Sequence, residues 1–146
     1  MMIPNPELKK KISDSYDACW MFGPCDLAFT AMEAAYTHGD AWVDQQLAYL
    51  EGNVETVNTF VAEHMPGVQV TKHEGTFLMW LDMTCFGKSS QELTSILAKE
   101  YGLALGDGSH YGTQAEGFMR LNIGCTRDTL IKGLEQMAVM YDKYVK

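Results

Sequence analysis

The sequence has 146 residues, a formal net charge of -8 at pH 7 and a 47% share of hydrophobic residues. This length supports one domain with a hydrophobic core, and the acidic balance argues against a nucleic-acid partner. No apolar run approaches the roughly 20 residues that a membrane-spanning helix needs, and the start lacks a secretory signal, so we expect a cytoplasmic protein without a membrane partner.

Taken in order, the chain begins with a short apolar segment, Met1–Ile3, that stops at Pro4. The Asn5-Pro6 pair that follows suits the N-cap and the first turn of a helix, which we predict to reach about Asp17. An apolar tripeptide before a helix is typical of a strand fragment that belongs to a larger sheet.

A break at Cys19–Cys25, which contains Gly23 and Pro24, separates the first helix from the second. Asp26 is the predicted N-cap of this second, alanine-rich helix, which covers Leu27–Thr37.

The longest predicted helix begins after a capping Asp40 and covers Ala41–His64. Its apolar residues recur in alternating steps of four and three, which forms a seam that must lie against another surface. A short coiled coil with a second copy of the chain is the alternative. The seam consists of Val43, Leu47, Leu50, Val54, Val57 and Val61.

Short strands dominate the next part of the chain. The first two are predicted at Val68–Thr71 and Thr76–Asp82, and the second is so apolar that we expect it to be buried on both faces. A helix with a serine cap is predicted over Ser89–Tyr101, and a short strand over Leu103–Leu105.

The glycine-rich segment Gly106–Gly112 could be mistaken for a phosphate-binding loop. It contains no lysine, no helix start follows it, and Asp107 would repel a phosphate. We predict a turn that faces the same side of the sheet as Arg120.

The segment Gly117–Gly124 is predicted to be a strand, followed by a helix that begins near Thr126 and ends near Tyr144. Successive side chains of a strand point to opposite faces. One face therefore carries Met119, Leu121 and Ile123, and the other carries Phe118, Arg120 and Asn122.

These elements predict an α+β fold, in which a small, mostly antiparallel sheet is covered by helices on one face and preceded by a long helix. We expect residues 1–146 to form a single domain. Four scattered cysteines without a Cys-x-x-Cys pair, and four histidines, give no zinc-type spacing, so we expect free thiols and no metal.

Arg120 is the main candidate for a binding residue. It is one of only two arginines in the chain, and its planar guanidinium suits a carboxylate or a phosphate bidentately. The alternative is an arginine on an edge strand that faces solvent or pairs with a nearby aspartate or glutamate.

Four segments in order resemble one enzyme family, the fold-type I pyridoxal-phosphate (PLP) enzymes, in particular the MalY/PatB-like cystathionine β-lyases and aminotransferases. The segments are Ala31–Trp42, Glu51–Asn53, Glu74–Asp82 and Gly117–Ile123. The resemblance covers essentially the whole chain and implies the carboxy-terminal, small domain of such an enzyme, with residues 1–5 as the end of the last strand of the large domain.

The resemblance implies a role for Arg120, which would bind the α-carboxylate of an amino-acid substrate, with possible support from Asn122 and Phe118. It also implies that the Schiff-base lysine and the remaining cofactor contacts lie in a large domain that this sequence does not contain. We therefore expect no catalytic residue in this chain, no PLP bound to the chain alone, and no activity of the chain alone. The alternative is a stand-alone interaction module, and in either case we expect a homo-oligomer such as a dimer.

Overall fold

The structure is a computed structural model that describes residues 3–19 and 25–146. The chain divides into two compact units, Met1–Asp44 and Gln45–Lys146. The predicted strand fragment at Met1–Ile3 and the predicted break around Gly23 and Pro24 lie partly or wholly outside the described residues.

The first unit contains two helices and the start of a third. Helix α1 covers Pro6–Ala18, and Asn5 caps it as predicted, because its Oδ1 accepts hydrogen bonds from the backbone N–H groups of Glu7 (3.0 Å) and Leu8 (3.1 Å). Helix α2 covers Asp26–His38. The prediction that Asp26 caps α2 is wrong by one position, since Cys25 is the cap and Asp26 is the first helical residue, where its charge suits the helix dipole.

Helix α3 covers Asp40–His64 and runs from the first unit into the second. Its apolar seam is buried only in its later turns. Leu50, Val57 and Val61 belong to the hydrophobic core, whereas the side chains of Val43 and Leu47 are 45% and 53% exposed.

The second unit is built on a four-stranded sheet. Its strands are β1 (Gln69–Val70), β2 (Leu78–Asp82), β3 (Gly106–Asp107) and β4 (Phe118–Asn122). They lie in the order β1-β2-β4-β3, and every neighbouring pair is antiparallel. The predicted α+β class is therefore confirmed.

Two further helices, α4 (Ser90–Tyr101) and α5 (Arg127–Tyr144), complete the second unit. Ser89 and Glu92 form a capping box at the start of α4, in which each side chain accepts from the backbone N–H of the other residue. The core lies between these helices and one face of the sheet. Its central side chains, each at most 1% exposed, include Met79, Leu81, Met119, Leu97, Leu134 and Met137.

Strand β2 is shorter and less buried than its composition predicts. It begins at Leu78, and buried residues alternate with half-buried ones along it, so the expectation of burial on both faces is wrong. Met79 and Leu81 point into the core, whereas Trp80 lies on the opposite, outer face and is only half-buried. Because Trp80 is large and apolar although it lies on the outer face, the sequence of β2 reads as a continuous apolar run.

The predicted strand at Leu103–Leu105 is displaced along the chain. The backbone N–H of Leu103 instead donates to the carbonyl of Leu97 (2.9 Å) after a left-handed Gly102 closes α4, and the short strand β3 begins at Gly106. Within residues 3–19 and 25–146, no helix has both the length and the apolar character that crossing a membrane requires.

Candidate functional site

Arg120 lies in the middle of β4, an interior strand of the sheet. Its strand neighbours are Trp80 of β2 on one side and Gly106 of β3 on the other. The edge-strand alternative for Arg120 is therefore wrong, because the edges of this sheet are β1 and β3. The predicted alternation along β4 is confirmed by the burial of Met119 and by the half-buried position of Arg120.

Gly106 leaves the space that the base of the Arg120 side chain occupies. A Cβ atom on Gly106 would lie 3.1 Å from Nε and 3.2 Å from Cβ of Arg120. These distances are tighter than ordinary van der Waals contacts. A side chain at position 106 would therefore press on the guanidinium and its stem.

Two aromatic side chains surround the guanidinium on the outer face of the sheet. The guanidinium carbon of Arg120 lies 5.1 Å from the centroid of the Tyr111 ring, within the range of a cation–π interaction. Tyr111 in turn packs against Trp80 in an edge-on arrangement, with the ring centroids 5.2 Å apart and the planes at 87°.

The carboxylates on the strands that flank β4 form hydrogen bonds with residues close to them in sequence. Asp82, on the same face of the sheet, accepts hydrogen bonds from the backbone N–H (3.0 Å) and hydroxyl (2.6 Å) of Thr84. Asp107 accepts from the backbone N–H (2.8 Å) and hydroxyl (2.6 Å) of Ser109. No carboxylate in the described part of the chain forms an ion pair with Arg120.

Arg120 opens onto a groove of about 410 Å³, a size that suits a small molecule. The groove is bounded by the hairpin segment between β1 and β2, residues Thr71–Thr76, and by the side chains of Leu78, Trp80, Tyr111 and Arg120. It thus combines one unpaired cation with aromatic walls and a flanking loop.

The hairpin segment contains a strained residue. Thr76 adopts φ = +68°, a left-handed conformation that is unfavourable for a β-branched side chain. Its hydroxyl accepts from the backbone N–H of Leu78 (3.1 Å), and its carbonyl lies 3.2 Å from Nε2 of His73. These contacts hold the tip of the hairpin beside the groove.

Asn122 and Phe118, the two residues expected to support Arg120, lie two positions from it on β4. Neither Asn122 nor Phe118 lines the groove. Oδ1 of Asn122 accepts from the backbone N–H of Gly124 (2.8 Å), which shapes the turn after β4. A supporting role for either residue stays a prediction.

The second arginine, Arg127, occupies a different environment that sequence reasoning did not identify. Its Nε–H donates to Oδ1 of the fully buried Asn53 (2.7 Å), and its guanidinium carbon lies 5.5 Å from the centroid of the Tyr49 ring. A Cβ atom on Gly52 would lie 2.6 Å from Nη2 of Arg127. A glycine inside a long helix was the available signal, because it marks a place where another group approaches the backbone.

The groove contains one lysine, Lys72, and its ammonium group is paired with Glu74 at 2.6 Å. The described side chains around Arg120 fit the recognition of a carboxylate. No cluster of metal-binding side chains occurs in residues 3–19 and 25–146.

No family model matches the chain, but it is similar in sequence to several bacterial proteins. It is 36% identical over 137 residues to cystathionine β-lyase PatB of Bacillus subtilis, a match that covers 94% of this chain and 35% of PatB. It is 35% identical over 115 residues to protein MalY of Escherichia coli, covering 76% of this chain and 28% of MalY. The chain thus spans about a third of the length of these relatives.

The fold is also that of solved PLP enzymes. A PLP-bound protein from Clostridium difficile 630, assigned as an aminotransferase, superimposes with a TM-score of 0.80 and 31% identity over 96% of this chain and 36% of the other. These similarities, in sequence and in fold, show that the chain belongs to the fold-type I PLP enzymes of the cystathionine β-lyase and aminotransferase group, and that it corresponds to their carboxy-terminal portion.

Proposed function

We propose that this chain is the carboxy-terminal, substrate-binding domain of a PLP-dependent carbon–sulfur lyase or aminotransferase that acts on amino acids. In this proposal Arg120 binds the α-carboxylate of the substrate. The observation that carries it is the position of Arg120, which lies on an interior strand beside a groove and forms no ion pair with any described carboxylate.

The chemistry of the site supports a carboxylate as the ligand. A guanidinium offers its N–H groups as a planar fork that matches the two oxygens of a carboxylate. Fixing an amino acid by its carboxylate on a rigid strand would also fix the direction of its Cα–H bond. In a PLP enzyme the cofactor supplies the electron sink that stabilises the carbanion when that bond breaks.

The cofactor contacts are proposed to lie in the large domain of the parent enzyme. Lys10, Lys72 and Lys143 are each largely exposed and paired with a carboxylate, those of Asp14, Glu74 and Glu100 respectively. We therefore propose that the chain alone holds no PLP and has no activity. Asn122 and Phe118 are proposed as secondary supports of Arg120 from the ends of β4.

Carboxylate binding can be tested on the chain itself by NMR. With two arginines in the sequence, the side-chain Nε–H region of a ¹⁵N correlation spectrum contains one signal from each, and Arg127 serves as an internal control. We expect L-alanine to shift the Arg120 signal and to leave the Arg127 signal in place. L-Alaninamide, which lacks the carboxylate, should shift neither. An unresponsive Arg120 signal at high L-alanine concentration contradicts the proposal.

The catalytic part of the proposal requires the full-length parent enzyme. There we expect Arg120→Lys to keep the charge but lose the bidentate geometry, so that KM for the amino acid rises and kcat/KM falls by at least tenfold. Thermal unfolding of the variant should stay near that of the wild type. The chain alone, mixed with PLP and cystathionine, should release no pyruvate. Steady pyruvate release would refute the proposal that the cofactor contacts lie in the large domain of the parent enzyme.

A second candidate function is that of a stand-alone oligomerisation module. It is favoured by the exposure of large apolar side chains in the first unit, such as Leu27 (79%), Tyr36 (84%) and Trp42 (66%), and by the absence of any buried residue in α2. Sedimentation of the chain at several concentrations tests it. A concentration-independent monomer excludes the module, whereas a stable dimer that binds no L-alanine favours it over the substrate-binding domain.

A further inference from the structure

Tyr111 belongs to a short segment whose conformation is determined by two neighbouring residues. Asp107 caps the 3-10 turn Gly108–Tyr111 through its two hydrogen bonds with Ser109. Gly108 is buried so closely that an added Cβ would lie 2.4 Å from the carbonyl oxygens of both Ala115 and Phe118. These contacts fix the segment against β4 in the arrangement that brings the Tyr111 ring to Arg120.

The ring of Tyr111 is 54% exposed, so burial of its own surface does not explain its position. Its described contacts on the outer face are the edge-on packing with Trp80 and the cation–π contact with Arg120. Both partners lie on the central strands, opposite each other in the β2–β4 register. Tyr111 thus forms a wall of the groove and contacts the guanidinium of Arg120.

We propose that Tyr111 is a positioning residue for Arg120: its ring, supported by Trp80, holds the guanidinium in the orientation that presents the N–H groups to a carboxylate in the groove. This inference rests on the proposed function of Arg120. An arginine side chain loses considerable rotamer freedom when a ligand fixes it. A ring that already restricts the guanidinium lowers that cost before the ligand arrives.

The role of Asp107 follows from the same arrangement. Its Oδ1 accepts the backbone N–H and the hydroxyl of Ser109, and these two bonds fix the start of the turn that carries Tyr111. Asp107 acts on Arg120 indirectly, by determining where the Tyr111 ring lies.

Two variants of Tyr111 separate the ring from the hydroxyl. Tyr111→Phe keeps the ring, and we expect its apparent affinity for L-alanine, followed by the Arg120 Nε–H signal, to match the wild type. Tyr111→Leu keeps apolar bulk without the π face. We expect it to bind L-alanine about two- to fivefold more weakly, the range that an exposed cation–π contact supports.

Side-chain dynamics provide a readout that a purely structural role would not change. In the ligand-free chain, the ¹⁵N heteronuclear NOE of Arg120 Nε should fall in Tyr111→Leu and stay unchanged in Tyr111→Phe. The NOE of Arg127 Nε, whose ring partner is Tyr49, should be the same in both variants.

The outcomes separate this inference from the proposed function. If the wild-type Arg120 signal does not respond to L-alanine, the proposed function fails. If it responds and Tyr111→Leu binds equally well with an unchanged Arg120 NOE, the positioning role of Tyr111 is refuted while the carboxylate site stands. Asp107→Ala, which removes the cap without altering the ring, should weaken binding in the same direction, and wild-type affinity in this variant would also count against the inference.

Discussion

Asn53 and Arg127 form a hydrogen bond of 2.7 Å between Oδ1 and Nε, across 74 residues of sequence. The amide group of Asn53 also donates to the carbonyl oxygens of Ile123 (2.8 Å) and Cys125 (3.2 Å). One fully buried side chain on α3 thereby joins the end of β4 to the start of α5. Arg127 is therefore part of a hydrogen-bonded connection between α3 and α5.

Replacing Asn53 should destabilise the second unit strongly. Asn53→Ala leaves the buried carbonyl of Ile123, the partly buried carbonyl of Cys125 and the Arg127 Nε–H without their partner, and leaving a buried group unpaired costs about 1–3 kcal/mol. We expect the free energy of unfolding, measured by urea titration, to fall by at least about 2 kcal/mol. The control is Asn58→Ala on the exposed face of the same helix, which should change it by about 0.5 kcal/mol or less. Equal effects at the two positions would contradict the role of Asn53.

Gly52 and Arg127 should be energetically coupled. In a helix interior, alanine is more stable than glycine by about 1 kcal/mol. At position 52, however, the new Cβ would lie 2.6 Å from Nη2 of Arg127 and would push the guanidinium away from Asn53. We therefore expect Gly52→Ala to stabilise the chain by about 1 kcal/mol only in the Arg127→Ala background, and to give less or no gain in the wild type.

A double-mutant cycle with urea unfolding measures this coupling. A difference of about 1 kcal/mol between the two backgrounds is expected. Additive effects would show that the Arg127 side chain moves away from the new Cβ without a cost in unfolding free energy. The two residues would then not be energetically coupled.

The sequence predicts those parts of the fold that depend on local signals. Asn5 before a proline and the Ser89/Glu92 box place the starts of α1 and α4 correctly, because a cap is satisfied by residues two or three positions away. The alternation along Gly117–Gly124 identifies Arg120 as an outward-facing residue of a strand, because side-chain direction follows from strand geometry alone.

The partners of Arg120 could not be predicted in the same way. The turn that carries Tyr111 is packed at Gly108 against the carbonyl oxygens of Ala115 and Phe118. Such a contact between separate segments leaves no periodic signal in the sequence. The pairing of Asn53 with Arg127 likewise depends on the tertiary arrangement of α3 and α5. Trp80 made β2 resemble a strand buried on both faces, because hydrophobicity does not distinguish a core residue from an aromatic wall of a groove.

Cys85 should be less reactive than the exposed cysteines. The pKa of its thiol is raised above the ordinary value, mainly by burial and to a smaller extent by the negative charge of Asp82. Less of the reactive thiolate is therefore present at a given pH. We expect iodoacetamide at pH about 8.5 to label Cys25 well before Cys85, as followed by peptide mass spectrometry. Asp82→Asn should accelerate the labelling of Cys85, whereas a Cys85 rate equal to that of Cys25 in the wild type would show that burial does not protect it.

Glu100 should contribute to stability only while it is ionised. Its carboxylate accepts from Nζ of Lys143 (2.6 Å) and from the hydroxyl of Tyr144 (3.0 Å), and the bond from Lys143 is the main reason that the pKa of Glu100 is lowered in the folded chain. A carboxyl whose pKa falls on folding stabilises the fold above its unfolded pKa, and this contribution disappears as the pH falls through the lower, folded value. We expect Glu100→Gln to reduce the urea midpoint slightly at pH about 7, and to leave it equal to the wild type at acidic pH, where Glu100 is protonated in both states. Because the group is exposed, added salt should shrink the difference at neutral pH, and a difference that persists in acid would show that charge is not its source.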